Sequence, residues 1–305
     1  MSNYEIGEYQ LPRPKWQTLE EYSEELKDVF MFKREDGILQ ATSHTNQSEP
    51  VQWGSMIYPG FSRMFRAVGQ DLDTEVLIVT GYGENWIGKI DLNSMTWLWE
   101  TKEKDPYLYS TSVFNWVYRD TQQNLEGLIN NLNIPTIGVL NGPSDGHYEL
   151  ACACDITLAA DDCYFQDIHF VNGLVPGDGV YLTMKHFMGE KRANWLALTG
   201  ERIDAQTALE WGYVSEVLPR DQLLPRAWEI ARKIMEQPRV IRRMTHDIMK
   251  KPLRKMLADD HNMFSGFQAW GNVITGHRKD DAAMELITEF DDSVMKDSVE
   301  KSVNK

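Results

Sequence analysis

Short apolar runs alternate with longer stretches of helical periodicity along the first two thirds of the chain. Val76–Thr80, Thr136–Leu140 and Ile156–Ala159 are runs of mainly apolar residues, which predict buried strands. Between the first two, residues 112–132 place apolar side chains at helical spacing and predict an amphipathic helix. Strands that alternate with helices are typical of an α/β fold with a parallel sheet.

The two ends of the chain depart from this alternation. Residues 1–30 are polar and contain Pro12 and Pro14, which predicts an arm that lies on the surface. Residues 31–205 form the expected α/β core, and residues 206–305 are expected to be a helical region that reaches back over a neighbouring site. A basic run at residues 239–255 fits either a solvated helix face or a phosphate-binding surface, and the sequence leaves both open.

Charge and cysteine content narrow the class of protein. The 305 residues include 46 acidic and 31 basic side chains, a net charge of −15, which argues against nucleic acid or an anionic membrane as the main partner. No stretch approaches the roughly 18 apolar residues of a membrane helix. No signal peptide is visible, so we expect a cytoplasmic protein. Cys152, Cys154 and Cys163 share one apolar stretch and predict buried thiols rather than disulfides or zinc ligands.

Three glycine-bearing segments carry the candidate chemistry. The first two each follow a predicted strand, where glycine lets the backbone turn sharply and point N–H groups at a ligand. Neither is followed by the Lys-Ser or Lys-Thr pair of a phosphate-binding loop. The segments span residues 80–91, 141–149 and 172–179.

The order and content of these segments resemble the crotonase, or enoyl-CoA hydratase/isomerase, superfamily from about residue 30 to residue 224. The matching motifs are Val79–Gly81 with Trp86–Asp91, Pro135–Gly142, Glu149–Asp155, Gly173–Gly179 and Leu198–Val214. The resemblance implies an α/β crotonase (ClpP-like) fold of repeated ββα units, with a helical C-terminal region that builds trimers or dimers of trimers. It also implies an oxyanion hole of two backbone N–H groups, in the Ile87–Gly88 segment and at Gly146, that stabilises an enolate.

Two histidines distinguish the chain from the hydratases of this superfamily. The first hydratase glutamate aligns with Glu149, but the second aligns with His169, so the hydratase pair is broken. Near neutral pH, an imidazole acts on water as a general base better than an ordinary carboxylate does. Asp178 can orient His169 and stabilise its cation. His147 adds a second imidazole in the turn that is rich in glycine in the family.

One branch of the superfamily, that of 6-oxocamphor hydrolase and related β-diketone hydrolases, resembles the chain more closely. The two histidines and the aspartate fall at active-site positions of that branch, and Trp53 falls at its pocket tryptophan. Tyr58 and Gln268 replace a histidine and a glutamate of the branch. These two are expected to bind substrate without titrating near pH 7.

The resemblance implies a hydrolase that cleaves a carbon–carbon bond of a 1,3-diketone by a retro-Claisen reaction. Water deprotonated by His169 would attack one carbonyl, and the enolate that leaves would be protonated through His147 to give a keto acid. No metal or organic cofactor is expected, and the expected partners are the diketone and further copies of the chain. Two alternatives stay open: a CoA-thioester hydratase, isomerase or hydrolase that uses Glu149, and a non-catalytic scaffold.

Overall fold

The computed structural model describes residues 17–275, apart from residues 92, 93, 95, 96, 98, 99, 102, 103 and 145. Most of the expected N-terminal arm and the end of the expected helical region, residues 276–305, therefore lie outside the described residues. Among the helices that are described, none is long and apolar enough to cross a membrane.

A six-stranded sheet forms the centre of the fold. Its strands are β1 (Phe30–Glu35), β2 (Ile38–Ser43), β4 (Val76–Gly81), β6 (Thr136–Leu140), β7 (Ile156–Ala160) and β10 (Glu216–Leu218), in that spatial order. Only the β1–β2 pair is antiparallel within this sheet. Two short ladders lie outside it: β3 (Gln52–Trp53) pairs with β5 (Lys89–Ile90), and β8 (Tyr164–Phe165) pairs with β9 (Ile203–Asp204).

The three apolar runs of the sequence form the middle of this sheet, as predicted. Every residue of β4 and of β6 is buried. Parallel strands that are covered on both faces need apolar side chains on both, and this explains why they show uninterrupted runs rather than alternation. The sheet continues past residue 205, because β10 pairs with β7.

Helices account for most of the other residues that the structure describes. They are α1 (Leu19–Glu25), α2 (Ile57–Gln70), α3 (Pro106–Val113), α4 (Thr121–Glu126), α5 (Glu149–Cys152), α6 (Val180–Met188), α7 (Glu190–Thr199), α8 (Ala205–Glu210), α9 (Arg220–Met235), α10 (Arg239–Met256) and α11 (Asn262–Thr275). The helix predicted over residues 112–132 is present, but π-helical turns at Phe114–Asp120 and Gly127–Asn131 flank α4. The α/β core with a helical C-terminal region is confirmed.

Helix α10 is held against the core by buried ion pairs of two residues in its basic run, whereas Lys251 and Lys255 are exposed, as expected for a solvated face. Arg242 and Lys250 are only 8% and 1% exposed. Arg242 Nη2 lies 2.8 Å from Glu75 Oε2, and Lys250 Nζ lies 3.2 Å from Asp155 Oδ1. His246 Nδ1 lies 2.9 Å from the other oxygen of Asp155. Buried cations require carboxylate partners, so these side chains bind the chain to itself rather than water or phosphate.

The loops that follow β4 and β6 meet at one edge of the sheet. Asn141, directly after β6, accepts the backbone N–H of Gly81 at 3.1 Å through Oδ1. Trp86, in the loop after β4, donates its indole N–H to the carbonyl oxygen of His147 at 3.0 Å. The carboxyl ends of neighbouring parallel strands lie side by side, so these contacts bring the first two glycine-bearing segments together next to α5.

Candidate active site

His147 lies between β6 and α5 in a left-handed backbone conformation. Its φ is 53°, a region that a residue with a Cβ rarely adopts. Its Nδ1 lies 3.0 Å from Oε1 of Glu149, the first residue of α5. Its ring stacks on Trp53, with centroids 3.9 Å apart, and meets Tyr58 edge-on at 5.7 Å. Three other predicted site residues, Glu149, Trp53 and Tyr58, therefore surround the ring of His147.

Glu149 is a buried carboxyl that holds one nitrogen of His147. Burial raises its pKa above the ordinary value, although the charge and hydrogen bond of His147 oppose the shift. Its second oxygen, Oε2, has no hydrogen-bond partner among the described residues. With Nδ1 of His147 directed at Glu149, Nε2 is the nitrogen that makes no hydrogen bond in the described part of the chain.

His169 is enclosed by two carboxylates instead of the one that was expected. Its Nδ1 lies 2.8 Å from Oδ1 of Asp167, and its Nε2 lies 3.2 Å from Oδ2 of Asp178. Both partners accept hydrogen bonds, so each ring nitrogen needs a hydrogen and the ring is an imidazolium. Burial lowers the pKa of His169, but the charges and hydrogen bonds of Asp178 and Asp167 raise it well above the usual range.

Asp178 links the two imidazoles. Its Oδ2 lies 3.2 Å from Nε2 of His169 and 3.8 Å from Nδ1 of His147. Its Oδ1 accepts the backbone N–H of Val180 at 3.1 Å, at the start of α6. Burial acts to raise its pKa, but the charge and hydrogen bond of His169 hold the pKa well below the usual range. Asp178 is therefore an anion at neutral pH.

Asp167 is a site residue that the sequence reasoning missed. It is 1% exposed, and its Oδ1 also accepts the backbone N–H of His169 at 3.0 Å. An aspartate that bonds the backbone two residues ahead is a common local turn. The spacing of Asp167 and His169 was thus a usable signal, but the same turn occurs in many loops without catalytic function.

The backbone donors are arranged differently from the expected oxyanion hole. The N–H of Gly88 donates to the carbonyl oxygen of Val51 at 2.8 Å, at the start of the β3–β5 ladder. Ile87 forms a parallel bridge with Ser144. The N–H of Gly146 donates to Oγ of Ser144 at 3.2 Å. Gly88 already has its acceptor in this structure, whereas the partner of the Gly146 N–H is a hydroxyl, which itself donates to the carbonyl oxygen of Gly146.

The remaining predicted residues lie at the edge of this cluster. Burial raises the pKa of Tyr58 well above its ordinary value, so the phenol stays neutral and can donate a hydrogen bond. Gln268, on α11, is buried, and its Oε1 has no partner among the described residues. A Cβ placed on Gly177 would lie 2.7 Å from the Cβ of Gln268, so α11 packs directly behind the turn that carries Asp178.

The arrangement can move protons in two directions. His147 has a nitrogen available to accept a proton and to give it back, and His169 is a cation that can stabilise negative charge. Within the described ranges, no group of three or more histidine, cysteine or acidic side chains is placed to hold a metal ion. The chemistry that these residues can perform is acid–base catalysis.

Comparisons with known proteins agree with this fold. The family described as enoyl-CoA hydratase/isomerase matches residues 61–270. A probable peroxisomal enoyl-CoA hydratase 1 of Arabidopsis thaliana is 28% identical over 184 residues, which cover 59% of this chain and 64% of that protein. The 2,3-dehydroadipyl-CoA hydratase of Escherichia coli (strain K12) is 31% identical over 55% of this chain and 61% of its own length. The chain thus spans less than two thirds of these two curated relatives.

Solved structures show the same architecture. A beta-diketone hydrolase from the cyanobacterium Anabaena sp. PCC 7120, with (S)-3-oxocyclohexyl acetic acid bound, has a TM-score of 0.75 at 28% identity and covers 87% of this chain and 99% of its own. An enoyl-CoA hydratase/isomerase from Mycobacterium paratuberculosis has a TM-score of 0.70 at 23% identity over 81% of this chain and 94% of its own, which shows the fold alone. The chain belongs to the enoyl-CoA hydratase/isomerase family and, with it, to the crotonase superfamily.

Proposed function

We propose that the protein hydrolyses a carbon–carbon bond of a 1,3-diketone to give a keto acid. The observation that carries this proposal is His169, which stands in place of the second hydratase glutamate and contacts Asp167 and Asp178. A site that pairs a cationic imidazole with a second, proton-accepting imidazole suits attack of water on a carbonyl and protonation of the carbanion that leaves. The similarity to the beta-diketone hydrolase of Anabaena over 87% of the chain supports the same reaction class.

His147 fits the role of general base better than His169, to which the sequence analysis gave it. Glu149 lies 3.0 Å from Nδ1 of His147, which leaves the lone pair on Nε2 to take a proton from water. Glu149 would stabilise the resulting cation, as the aspartate of a hydrolase triad does. Both nitrogens of His169 face carboxylate oxygens, so this ring has no lone pair to offer at neutral pH.

Protons and electrons balance in this scheme. His147 takes a proton from water, and the hydroxide bonds to one carbonyl carbon. The adduct collapses, the carbon–carbon bond breaks, and its electron pair becomes an enolate. The cation of His147 then gives this proton to the enolate carbon through Nε2, which restores the neutral base. His169, held as a cation by Asp167 and Asp178, offsets the negative charge of the adduct and of the enolate.

Two donors can stabilise the negative charge that develops on oxygen. The N–H of Gly146 is close to His147 in sequence, and its present partner is only a hydroxyl at 3.2 Å. The phenol of Tyr58 stays protonated because burial raises its pKa, and its ring meets the ring of His147. One well-placed donor of this kind is worth about 3 kcal/mol in comparable sites.

The direct test compares two substrate classes. The protein is incubated with a panel of cyclic 1,3-diketones and, separately, with crotonyl-CoA, while absorbance and product mass are followed. Ring opening with the gain of one water, and no reaction of the thioester, is the expected result. Hydration or hydrolysis of the thioester would instead place the protein among CoA-dependent enzymes that rely on Glu149.

Variants of the two imidazoles complete the test. We expect His147→Ala to lower turnover by about 100-fold or more, because a lost general acid or base typically costs that much. His169→Gln removes the cation from the site and should lower turnover by a similar factor. His186→Gln is the matched control, since His186 is exposed on α6 away from the cluster. Turnover within about threefold of the wild type in either site variant would contradict the mechanism.

We further propose that the protein assembles as a homo-oligomer built from trimers. Ile241, Met244 and Ile248 are 50%, 61% and 74% exposed on α10. Their spacing of three and four residues puts them on one helix face, and a contiguous exposed apolar stripe marks a protein interface. Light scattering coupled to size exclusion should give the mass of a trimer or hexamer, and the mass of a monomer would contradict the proposal.

A further inference from the structure

Four aromatic side chains form a continuous series from the candidate general base to the surface. Trp53 stacks on His147, and the Trp53 and Tyr58 rings are 5.0 Å apart. Tyr58 meets Trp116 at 4.8 Å, and Trp116 meets Trp97 at 6.0 Å. We call Trp53, Tyr58, Trp116 and Trp97 the aromatic wall.

The outer members of the aromatic wall keep surface that a ligand can reach. Tyr58 and Trp116 are only partly buried, and Trp97 is 39% exposed. The side chains of His147 and His169, at the inner end, are also accessible, at 11% and 15%. Accessible ring surface therefore occurs along the series from Trp97 to Tyr58, whose ring meets that of His147.

We propose that the aromatic wall favours a substrate that carries an aromatic ring, so that the preferred diketone bears an aryl group. This inference rests on the proposed function for the identity of the reacting group, and on the ring geometry for the rest. The neighbouring rings of the wall beyond Trp53 meet at interplanar angles of 60–65°, the edge-to-face arrangement that a further aromatic ring extends. A saturated ring fills similar volume without the complementary charge distribution.

The expected preference for an aromatic ligand follows from the known energies of ring–ring contacts. Each aromatic pair contributes about 0.5–1.5 kcal/mol beyond the burial of its area, which is about a 2- to 10-fold change in Kd. A cyclohexyl group is at least as apolar as a phenyl group, so burial alone gives the phenyl ligand no advantage. A preference for phenyl between two otherwise identical ligands therefore indicates contact with aromatic rings of the protein.

Binding of unreactive ketones tests the inference without any turnover. 4-Phenylbutan-2-one and 4-cyclohexylbutan-2-one share one carbon skeleton and have only one carbonyl, so neither can undergo the retro-Claisen step. Calorimetric titration of the wild-type protein should show the phenyl ketone binding about 3- to 10-fold more tightly. Equal affinities, tighter binding of the cyclohexyl ketone, or no binding of either would overturn the inference.

Substitutions in the aromatic wall test whether it causes the preference for the phenyl ketone. Trp97→Leu should reduce the phenyl preference about twofold or more, and Trp116→Leu should bring it close to one. Trp116→Phe keeps a ring and should restore the preference. Trp195→Leu is the matched control, because Trp195 is 40% exposed and is also paired with a tryptophan, at 6.3 Å. A preference that survives Trp116→Leu in a protein with unchanged near-ultraviolet circular dichroism would refute the assignment.

The two proposals fail in distinguishable ways. A protein that prefers the phenyl ketone but opens no 1,3-diketone would refute the proposed function and leave the aromatic wall as a binding site. A protein that hydrolyses diketones without a phenyl preference in Kd or KM would refute only the role of the wall. Comparison of 1-phenylbutane-1,3-dione with 1-cyclohexylbutane-1,3-dione supplies the KM ratio.

Discussion

Asp167→Asn tests whether His169 is an imidazolium or a neutral base. Asparagine keeps the oxygen that accepts both hydrogen bonds from His169, so the geometry at 2.8 Å and 3.0 Å is preserved. The substitution removes the negative charge from one side of the ring. Asp178 remains on the other side, at 3.2 Å. The expected result is a lower pKa for His169 with the ring in the same place.

The magnitude follows from the distance. Opposite unit charges 2.8 Å apart attract by about 6 kcal/mol at an effective dielectric constant of about 20. The hydrogen bond that asparagine retains offsets part of this, and a carboxylate at such range typically shifts a pKa by about 1–3 units. We therefore expect the pKa of His169 to fall by about 1–3 units, which is about 1.4–4 kcal/mol of stabilisation of the cation.

Two assays report the direction in which the pKa of His169 changes. Nuclear magnetic resonance of the imidazole nitrogens gives the pKa of His169 directly, with His169→Gln to assign the signals. If catalysis needs the imidazolium to stabilise the enolate, activity falls as pH rises through this pKa, so the alkaline limb of the rate profile should move to lower pH by the same amount. The stabilisation that a raised histidine pKa provides is likewise lost with rising pH, and it should be lost earlier in the variant.

Asp161→Asn is the matched control, because Asp161 is exposed in the turn after β7 and should leave both measurements unchanged. A neutral His169 at pH 7 in the wild-type protein would refute the reasoning. So would a pKa in Asp167→Asn within about 0.3 units of the wild type.

Three further substitutions test other parts of the structure. Glu149→Gln should lower kcat by about 100-fold with little change in KM, since glutamine cannot stabilise the cation of the base, and steady-state kinetics will show a smaller effect if that role is wrong. Lys250→Met should destabilise the fold by about 3–5 kcal/mol in urea unfolding because it leaves a buried carboxylate short of a partner, whereas Lys251→Met, on the exposed side of α10, should be near neutral. Gly138→Ala should cost more than about 1 kcal/mol, because its Cβ would overlap the backbone of α5, and Gly266→Ala, with only an ordinary contact at 3.8 Å, should not.

The sequence could predict the strands that are buried on both faces of the sheet. The runs that became β4 and β6 are apolar throughout because every residue in them is buried. The π-helical turns around α4 have no such local signature, since the extra residue in each turn depends on packing with other elements. Lys250 also lacks a local signature. Its partner Asp155 is distant in sequence, so the sequence around Lys250 does not distinguish it from a surface lysine.

Some residues of the candidate site could likewise be predicted from the sequence, and others could not. His147, Glu149, His169 and Asp178 were predicted from motif positions, and the structure brings them into one network. Asp167 was missed because its role depends on the direction in which its side chain turns. The acceptor already bonded to Gly88 could not be foreseen either, because Val51 lies far from it in sequence and meets it only through the β3–β5 ladder.

The left-handed backbone of His147 sets stability against the proposed catalysis. Its φ of 53° lies in a region that only glycine adopts freely. A histidine there carries about 1–2 kcal/mol of strain. Replacement by glycine would relieve that strain while it removes the imidazole. A screen for stability alone would therefore select against the residue that we propose as the base.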